Sequence, residues 1–529
     1  MTLSRRRFLA AGATGAAAAL AHRAADPPAG LPRPNIAWAA GCDTPMPAPS
    51  PEAHLLNRAT YGPTAAAIAE IRRLGIPAWL DQQLSPAGID DAACELALED
   101  LWSIKWDVAR IKQENYQTGR PIANELVANS LYRAVASRRQ LAEMMAEFWS
   151  NHFNVYHPEE FTGRAKTFDE REVIRPHVLG KFRDLVHGVA ASSTMMRYLN
   201  TVRNTKDGPN ENFARELMEL HVLGVDGGYT EQDIKQVARC FTGWNVNNTT
   251  WTIDFRSADH APGDKTVLGQ RIASGGVDEG HAVIDILVDH PSCARHLAGR
   301  LCQRFIADSP PAAAVDKVAA AFGKDGDIPA MLRALFLSSE FAASAALTDA
   351  AGRSVPAKVR RPMEHWAAIL RALEVEAYAL LQDLPKDAYE EQGAVYGDRA
   401  EGYLQAMDHL PFRWHAPDGY PDKGPWWSGM HVMLSKWNFA LALTEGRIPG
   451  MTVDLWAQMQ AAGIKRDAGA VVDYWAGRLL TRALLAADRQ NLVAFLIRGA
   501  SGGLSESVLR ARLPVLVALL CDSPNFHWR

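Results

Sequence analysis

Twelve residues, Asn210 to His221, carry three carboxylates, an arginine, a histidine and two amides between apolar side chains. Carboxyl groups whose environments differ can share acid–base work, one kept protonated as general acid and one ionised as general base. Amides beside them can orient hydroxyl groups. That combination suits hydrolysis or elimination at a glycosidic bond, where two carboxyl groups flank the scissile oxygen. Glu211, Glu216 and Glu219 are the candidate acids and bases, with Glu147 the first choice for a carboxylate reaching in from another helix. Asn212 and Arg215 are candidates for substrate contact, and Arg215 would lower the pKa of a neighbouring acid and so separate the two roles. The competing reading is a solvated, salt-bridged helix face.

The element that must carry these groups is an amphipathic helix. Phe213, Leu217 and Leu220 recur at steps of four and three and make a core-facing stripe, while Glu211, Arg215 and Glu219 recur at steps of four. Asn210 can cap the first turn, Gly224 can stop the helix, and Thr230 can cap a following helix from about Glu231 to Phe241. A second helix, Arg139 to Phe153, sets Glu143, Glu147 and Asn151 on one face and Met144, Phe148 and His152 on another.

Asn151, Trp149, Trp244 and His260 complete the candidate substrate contacts, tryptophan faces being suited to sugar rings. Glu147…His152 and Glu216…His221 are each five residues apart, roughly 140° around a helix, so neither pair can chelate an ion alone. A metal site would have to be built between helices, from His152, His221 and Glu216. Histidines satisfied by structural hydrogen bonds are the alternative. Arg171, Arg175 and His177 read equally as a buried ionic network or a substrate clamp. Gly499-Ala500-Ser501-Gly502-Gly503 fits G-x-S-x-G, but a helical segment precedes it where a nucleophile elbow needs a strand, so it reads as a turn between helices. There is no P-loop, no strand-borne G-x-G-x-x-G and no H-E-x-x-H, and no cofactor is specified.

Segments of 3.6-residue apolar spacing dominate the chain, among them Ile122–Ala136, Phe168–Ala190, Pro291–Ile306, Pro356–Leu373 and Ser505–Cys521. Strand-like alternation is confined to residues 245–256. The fold class is therefore mainly α, a multi-helix globular fold with one small β-ribbon. Residues 51–342 form an N-terminal helical domain with the site. Small, polar residues 343–354 make a linker, and residues 355–529 form a C-terminal helical region packed on the first. The aromatic, proline-rich stretch 382–429 reads as a long irregular region, either functional or disordered, and its aromatics favour an ordered one.

Ser4-Arg5-Arg6-Arg7-Phe8-Leu9 with the Ala/Gly-rich run to Ala21 reads as a twin-arginine signal over residues 1–21, followed by a disordered Pro/Ala-rich leader over 22–50. Export to the periplasm or beyond follows, and no transmembrane segment is expected in the mature chain. Folding before export hints at a cofactor without naming one. Net charge −4 and no basic run outside the signal argue against nucleic acid as a partner. Six scattered cysteines without C-x-x-C permit a disulfide and do not suggest zinc.

Leu55-Leu56-Asn57-Arg58-Ala59-Thr60-Tyr61-Gly62-Pro63, Glu147-Phe148-Trp149-Ser150-Asn151-His152-Phe153, the Asn210–Gly224 stretch, Ala238-Arg239-Cys240-Phe241-Thr242-Gly243-Trp244 and Lys265-Thr266-Val267-Leu268-Gly269 together resemble a bacterial family known as domain of unknown function 1800. The match runs in order along nearly the whole mature chain. It implies an exported, mainly helical protein, often encoded beside a sulfatase-like partner, and it transfers no catalytic residue. One departure stands out: the family tends to place His-Asp before the glycine and lysine, whereas Ala261 follows His260 here, leaving Asp259 or Asp264 as substitutes.

Three functions follow. The first is an exported hydrolase (or lyase) acting on an extracellular or periplasmic polysaccharide through clustered carboxylates. The second is a metal- or haem-dependent oxidoreductase using His152, His221 and His260. The third is a non-catalytic assembly or secretion factor working with the sulfatase-like partner.

Overall fold

The computed structural model describes residues 46–118, 122–157, 160–348, 354–355, 358–384, 396–499 and 504–529 of the 529-residue chain. The expected signal at 1–21, most of the expected leader, and Ala500 to Gly503 lie outside the described residues.

The fold is mainly α, with three two-stranded antiparallel sheets among the described residues. The expected ribbon is there: Trp244–Val246 pairs with Ile253–Phe255, with Trp244 opposite Phe255. Lys265–Val267 and Gln270–Ile272 make a second hairpin, closed through Leu268 and Gly269, both at positive φ. Several helices begin where cap chemistry dictates. Ser50 accepts from the Ala53 amide, Thr64 from Ala67, and Thr230 with Asp233 forms a reciprocal capping box.

One hydrophobic core runs from Leu55 to Phe526 and takes side chains from both sides of residues 343–354. The Ile122–Ala136 helix lies against Pro362–Ala372, and Arg371 of the latter donates to the Gly62 and Val135 carbonyls. Cys94, Cys240, Cys293, Cys302 and Cys521 are free, buried thiols. No described helix is long and apolar enough to cross a membrane.

Two departures from regular helix bear on the site. The expected single helix over 168–190 is interrupted: Glu160–Asp169 runs into a π-helical turn, Glu170–Ile174, the helix ends near Pro176, and a new one spans Phe182–Ala191. The Asn210–His221 stretch is α-helical over Asn212–Glu216 and then π-helical over Leu217–Val222, with the Leu223 amide bonded back to the Met218 carbonyl at 3.0 Å. Inserted π turns recur at functional sites because they re-aim side chains that a regular helix would space evenly. Asn210 caps the Asn212 amide at 2.9 Å, and Gly224, at φ +83°, ends the element as expected.

Candidate functional site

The carboxylates of the Asn210–His221 stretch do not converge. Arg215 holds Glu211 at 3.1 Å and Glu219 at 3.3 Å, and Glu231 of the next helix accepts from both of its terminal nitrogens at 2.9 and 2.8 Å. The cluster is a surface network, with Glu231 fully exposed. Exposed Asn212 spends its amide on the Leu199 carbonyl at 3.3 Å. For Glu211, Glu219, Arg215 and Asn212, the observed geometry is that of the salt-bridged face.

Glu216 differs. It is half-buried and makes no hydrogen bond or ion pair. Burial raises its pKa, and the charges of Glu219 and Asp418 raise it further. Asp418 sits exposed in the aromatic segment after Pro411 and accepts from the Trp414 indole at 2.9 Å. Trp414 meets Trp426 edge-on at 5.9 Å, and Trp426 stands 56% exposed.

This segment is positioned by the Gln140–His152 helix and the turn after it. The Asn151 amide donates to the Tyr420 carbonyl at 3.0 Å and its oxygen accepts from the Tyr420 amide at 2.6 Å, as a neighbouring β-strand would. Asn154 donates to the Trp414 and Ala416 carbonyls, both at 2.8 Å. Gly419, at φ +72°, lies so close that a Cβ would fall 2.1 Å from the Asn151 carbonyl oxygen.

Glu147 faces inward into an ionic network. Arg304 reaches it at 3.3 Å and Arg361 at 2.6 Å. Glu364 accepts from Arg361 at 3.2 Å, from Arg529 at 3.2 Å and from Arg304. Lys358 joins Asp308 at 2.7 Å to Asp422 at 3.2 Å. Burial works to raise the Glu364 pKa, but Arg304, Arg529 and Arg361 outweigh it and hold it well below the carboxylate range. Asp422 is held at about 2, Lys358, Arg304 and Arg361 outweighing its burial.

Two small cavities adjoin Glu147 and Asn151. One, of 40 Å³, touches Tyr61, Glu143, Glu170 and Tyr420; the other, of 10 Å³, touches Arg300, Gln303, Arg304 and Asp422. At roughly 10–15 Å³ per water they hold about three molecules and one, so neither admits a sugar ring. Arg300 has no hydrogen bond or ion pair, and it feels the charges of both Asp422 and Asp418.

The other expected site residues sit in packed or ion-paired positions. Trp149 is fully buried and donates to the Val178 carbonyl at 3.1 Å. Trp244 is 1% exposed and packs between Phe241 and His281. His260 pairs with Glu279 at 3.0 Å, and buried Lys265 reaches the same carboxylate at 2.6 Å. The acid serving His260 is thus Glu279, whereas Asp264 binds Arg271 on the surface. Burial tends to raise the Glu279 pKa, but hydrogen bonds from Lys265, the Gly275 amide and His260 lower it overall. Arg175 grips Glu143 with two bonds of 3.1 Å and Arg171 donates to the Ile104 and Trp106 carbonyls, the network rather than the clamp.

His152 donates to the His221 carbonyl at 2.8 Å, the two rings meeting edge-on at 5.7 Å. Burial depresses both pKa values, His221 to about 3. Among the described residues, no three His, Cys, Asp or Glu side chains are grouped to hold a metal ion, so His152, His221 and Glu216 do not form one.

Glu216 and Arg300 both lie close enough to Asp418 to feel its charge, and Trp414 and Trp426 stand beside Asp418. Sequence reasoning singled out Glu216 and the aromatic segment but not Asp418 or Arg300, which lie 202 and 84 residues from Glu216 in the chain. The only early signal for Asp418 was that a long segment rich in tryptophan and proline is seldom idle.

No curated protein and no solved structure matches the chain. A family model described as "Protein of unknown function (DUF1800)" matches residues 54–528, nearly the whole length, and the chain belongs to that family.

Proposed function

We propose that the protein is an exported glycan hydrolase in which Glu216 donates a proton to the leaving oxygen and Asp418 serves water. The observation that carries this is Glu216 itself, a half-buried carboxyl with no partner and a raised pKa in a helix whose other acids are neutralised by Arg215. A carboxyl raised by its surroundings stays protonated nearer neutral pH and can act as general acid. As the glycosidic C–O bond breaks, its oxygen takes the Glu216 proton. Asp418, exposed to solvent, accepts a proton from the water whose oxygen bonds to the anomeric carbon. Trp414 and Trp426 offer ring faces beside Asp418, and unpaired Arg300 can orient a polar or acidic substituent. The exposure of Asp418 and Trp426 suits a polymer, and the expected twin-arginine signal supports action in the periplasm or outside the cell.

Reducing-end release from a panel of bacterial polysaccharides tests this. The wild type releases ends from at least one, and Glu216→Gln loses 100-fold or more, the scale of general acid catalysis. Equal rates in both proteins would refute the assignment.

A second reading has its own observation. Met430, Leu434 and Trp437 stand exposed at 88, 53 and 44% along one face of the Met430–Thr444 helix. A contiguous apolar stripe of this kind marks contact surfaces, and it favours an assembly role with a sulfatase-like partner. Under that reading Leu434→Asp abolishes co-purification with such a partner while Glu216→Gln preserves it. The reverse pattern excludes it.

A further inference from the structure

A cleft of about 800 Å³ opens on a different part of the molecule, between the Ala65–Leu74 helix and the segment following the Ala468–Leu479 helix. None of its lining residues belongs to the Glu216 site. Arg482 lies against it with only 6% of its surface exposed. Its Nε and Nη2 are sealed from solvent without a hydrogen-bond partner, and the side chain makes no ion pair. Nη1, likewise unbonded, is the one guanidinium nitrogen not sealed from solvent.

Arg300 apart, the other deeply buried cations named so far are provided for. Arg304 and Arg361 have Glu147 and Glu364, Lys166 has Asp169 at 2.6 Å, and Lys265 has Glu279. Arg58 donates to the Phe305 and Ile306 carbonyls at 3.1 and 3.0 Å, and Arg360 donates to the Asn57 amide oxygen at 2.5 Å. Arg482 has neither carboxylate nor carbonyl. Deprotonation does not relieve it, since burial brings its pKa down only to about 10 and it stays charged at neutral pH. A sealed charge without a partner calls for a counter-ion. The surroundings strengthen that demand, because Arg58 and Arg360 lie close enough for the Arg482 charge to act on them. The cleft's own carboxylate, Asp473, is occupied by Arg489 at 2.6 and 2.7 Å. Exposed Arg72 also lines the cleft without an ion pair, Glu52 lying near enough only to feel its charge.

We infer that this cleft binds a tetrahedral oxyanion, sulfate or phosphate, free or as an ester on a larger ligand, with Arg482 at its floor and Arg72 at its rim. Guanidinium donors match oxyanion geometry, and a cation already desolvated holds its anion more strongly than one in water. The inference does not depend on the hydrolase reading.

Isothermal titration at constant ionic strength, with sodium sulfate, sodium phosphate and a sulfated monosaccharide as separate ligands, tests it. The wild type binds saturably, Arg482→Met weakens binding tenfold or more, and Arg72→Ala weakens it a few-fold. Tighter binding of the sulfated sugar than of sulfate identifies an ester as the ligand; equal or weaker binding identifies the free ion. Absence of saturable binding, or undiminished binding by Arg482→Met, overturns the site. Should Arg482→Met fail to fold, wild-type crystals soaked in selenate decide: an anomalous peak within hydrogen-bond reach of Arg482 supports the site, and peaks confined elsewhere overturn it.

Discussion

Asn151 and Tyr420, 269 residues apart, hold each other through two reciprocal hydrogen bonds of 3.0 and 2.6 Å. A side-chain amide here does the work of a backbone strand, fixing the segment that carries Asp418 to the helix that carries Glu147. Asn151→Ala removes both bonds at once. At about 1 kcal/mol per bond, and more where a buried group is stranded, the expected loss is about 2–3 kcal/mol in urea denaturation, with faster amide exchange over residues 414–422. Unchanged exchange there would show that Asn154 and packing suffice. Gly419→Ala is harsher, because its Cβ meets the Asn151 carbonyl oxygen.

The ionic network around Glu364 is buried, so it responds to truncation differently from a surface pair. Glu364→Ala leaves Arg304, Arg361 and Arg529 short of a shared acceptor. Removing one partner from such a cluster typically costs about 3–5 kcal/mol, and a loss of that size in the unfolding free energy from urea denaturation is expected. A shift under about 1 kcal/mol would mean the remaining acids already satisfy the three guanidinium groups.

The surface network behaves in the opposite way. Arg215→Ala breaks contacts among exposed side chains, where screening and side-chain entropy cancel most of the attraction. Thermal melting is expected to move little, and the difference to vanish in 1 M salt. A large, salt-insensitive loss would show that Arg215 supports the π-helical turn itself.

Acid sensitivity follows from the buried histidines. His54, His157 and His221 are each depressed from 6.5 to about 3, chiefly by burial. Below pH 6.5 the unfolded chain takes up protons that the folded chain refuses. Stability is therefore full above pH 6.5 and drains away as the pH falls towards 3. His221→Leu should make that decline shallower by about one proton, roughly 1.4 kcal/mol per pH unit. An unchanged slope would mean that His221 is protonated in the folded state.

Much of the fold was legible from residue order, because helix caps and apolar spacing act locally. Ile122–Ala136 and the start of Pro291–Phe305 fall where periodicity and Pro291 place them. The π turns at Glu170–Ile174 and Leu217–Val222 left no local mark, since an inserted residue is accommodated by tertiary packing. The site was legible only in part for the same reason. Steps of four correctly paired Arg215 with Glu211 and Glu219, yet nothing in that spacing tells solvent from cleft. Trp149 and Trp244 have the residue type of a sugar platform and the position of core. Glu279 meets His260 and Lys265, and Arg300 comes near Asp418, only through the folded chain, beyond the reach of any helical spacing.

The central claim, that Glu216 works as an acid while its neighbours are structural, is tested most directly by comparing reducing-end release by the wild type, Glu216→Gln and Glu211→Gln on the same polysaccharide. The account predicts a loss of at least 100-fold for Glu216→Gln and near wild-type rates for Glu211→Gln. Equal loss in both variants, or none in Glu216→Gln, would contradict it.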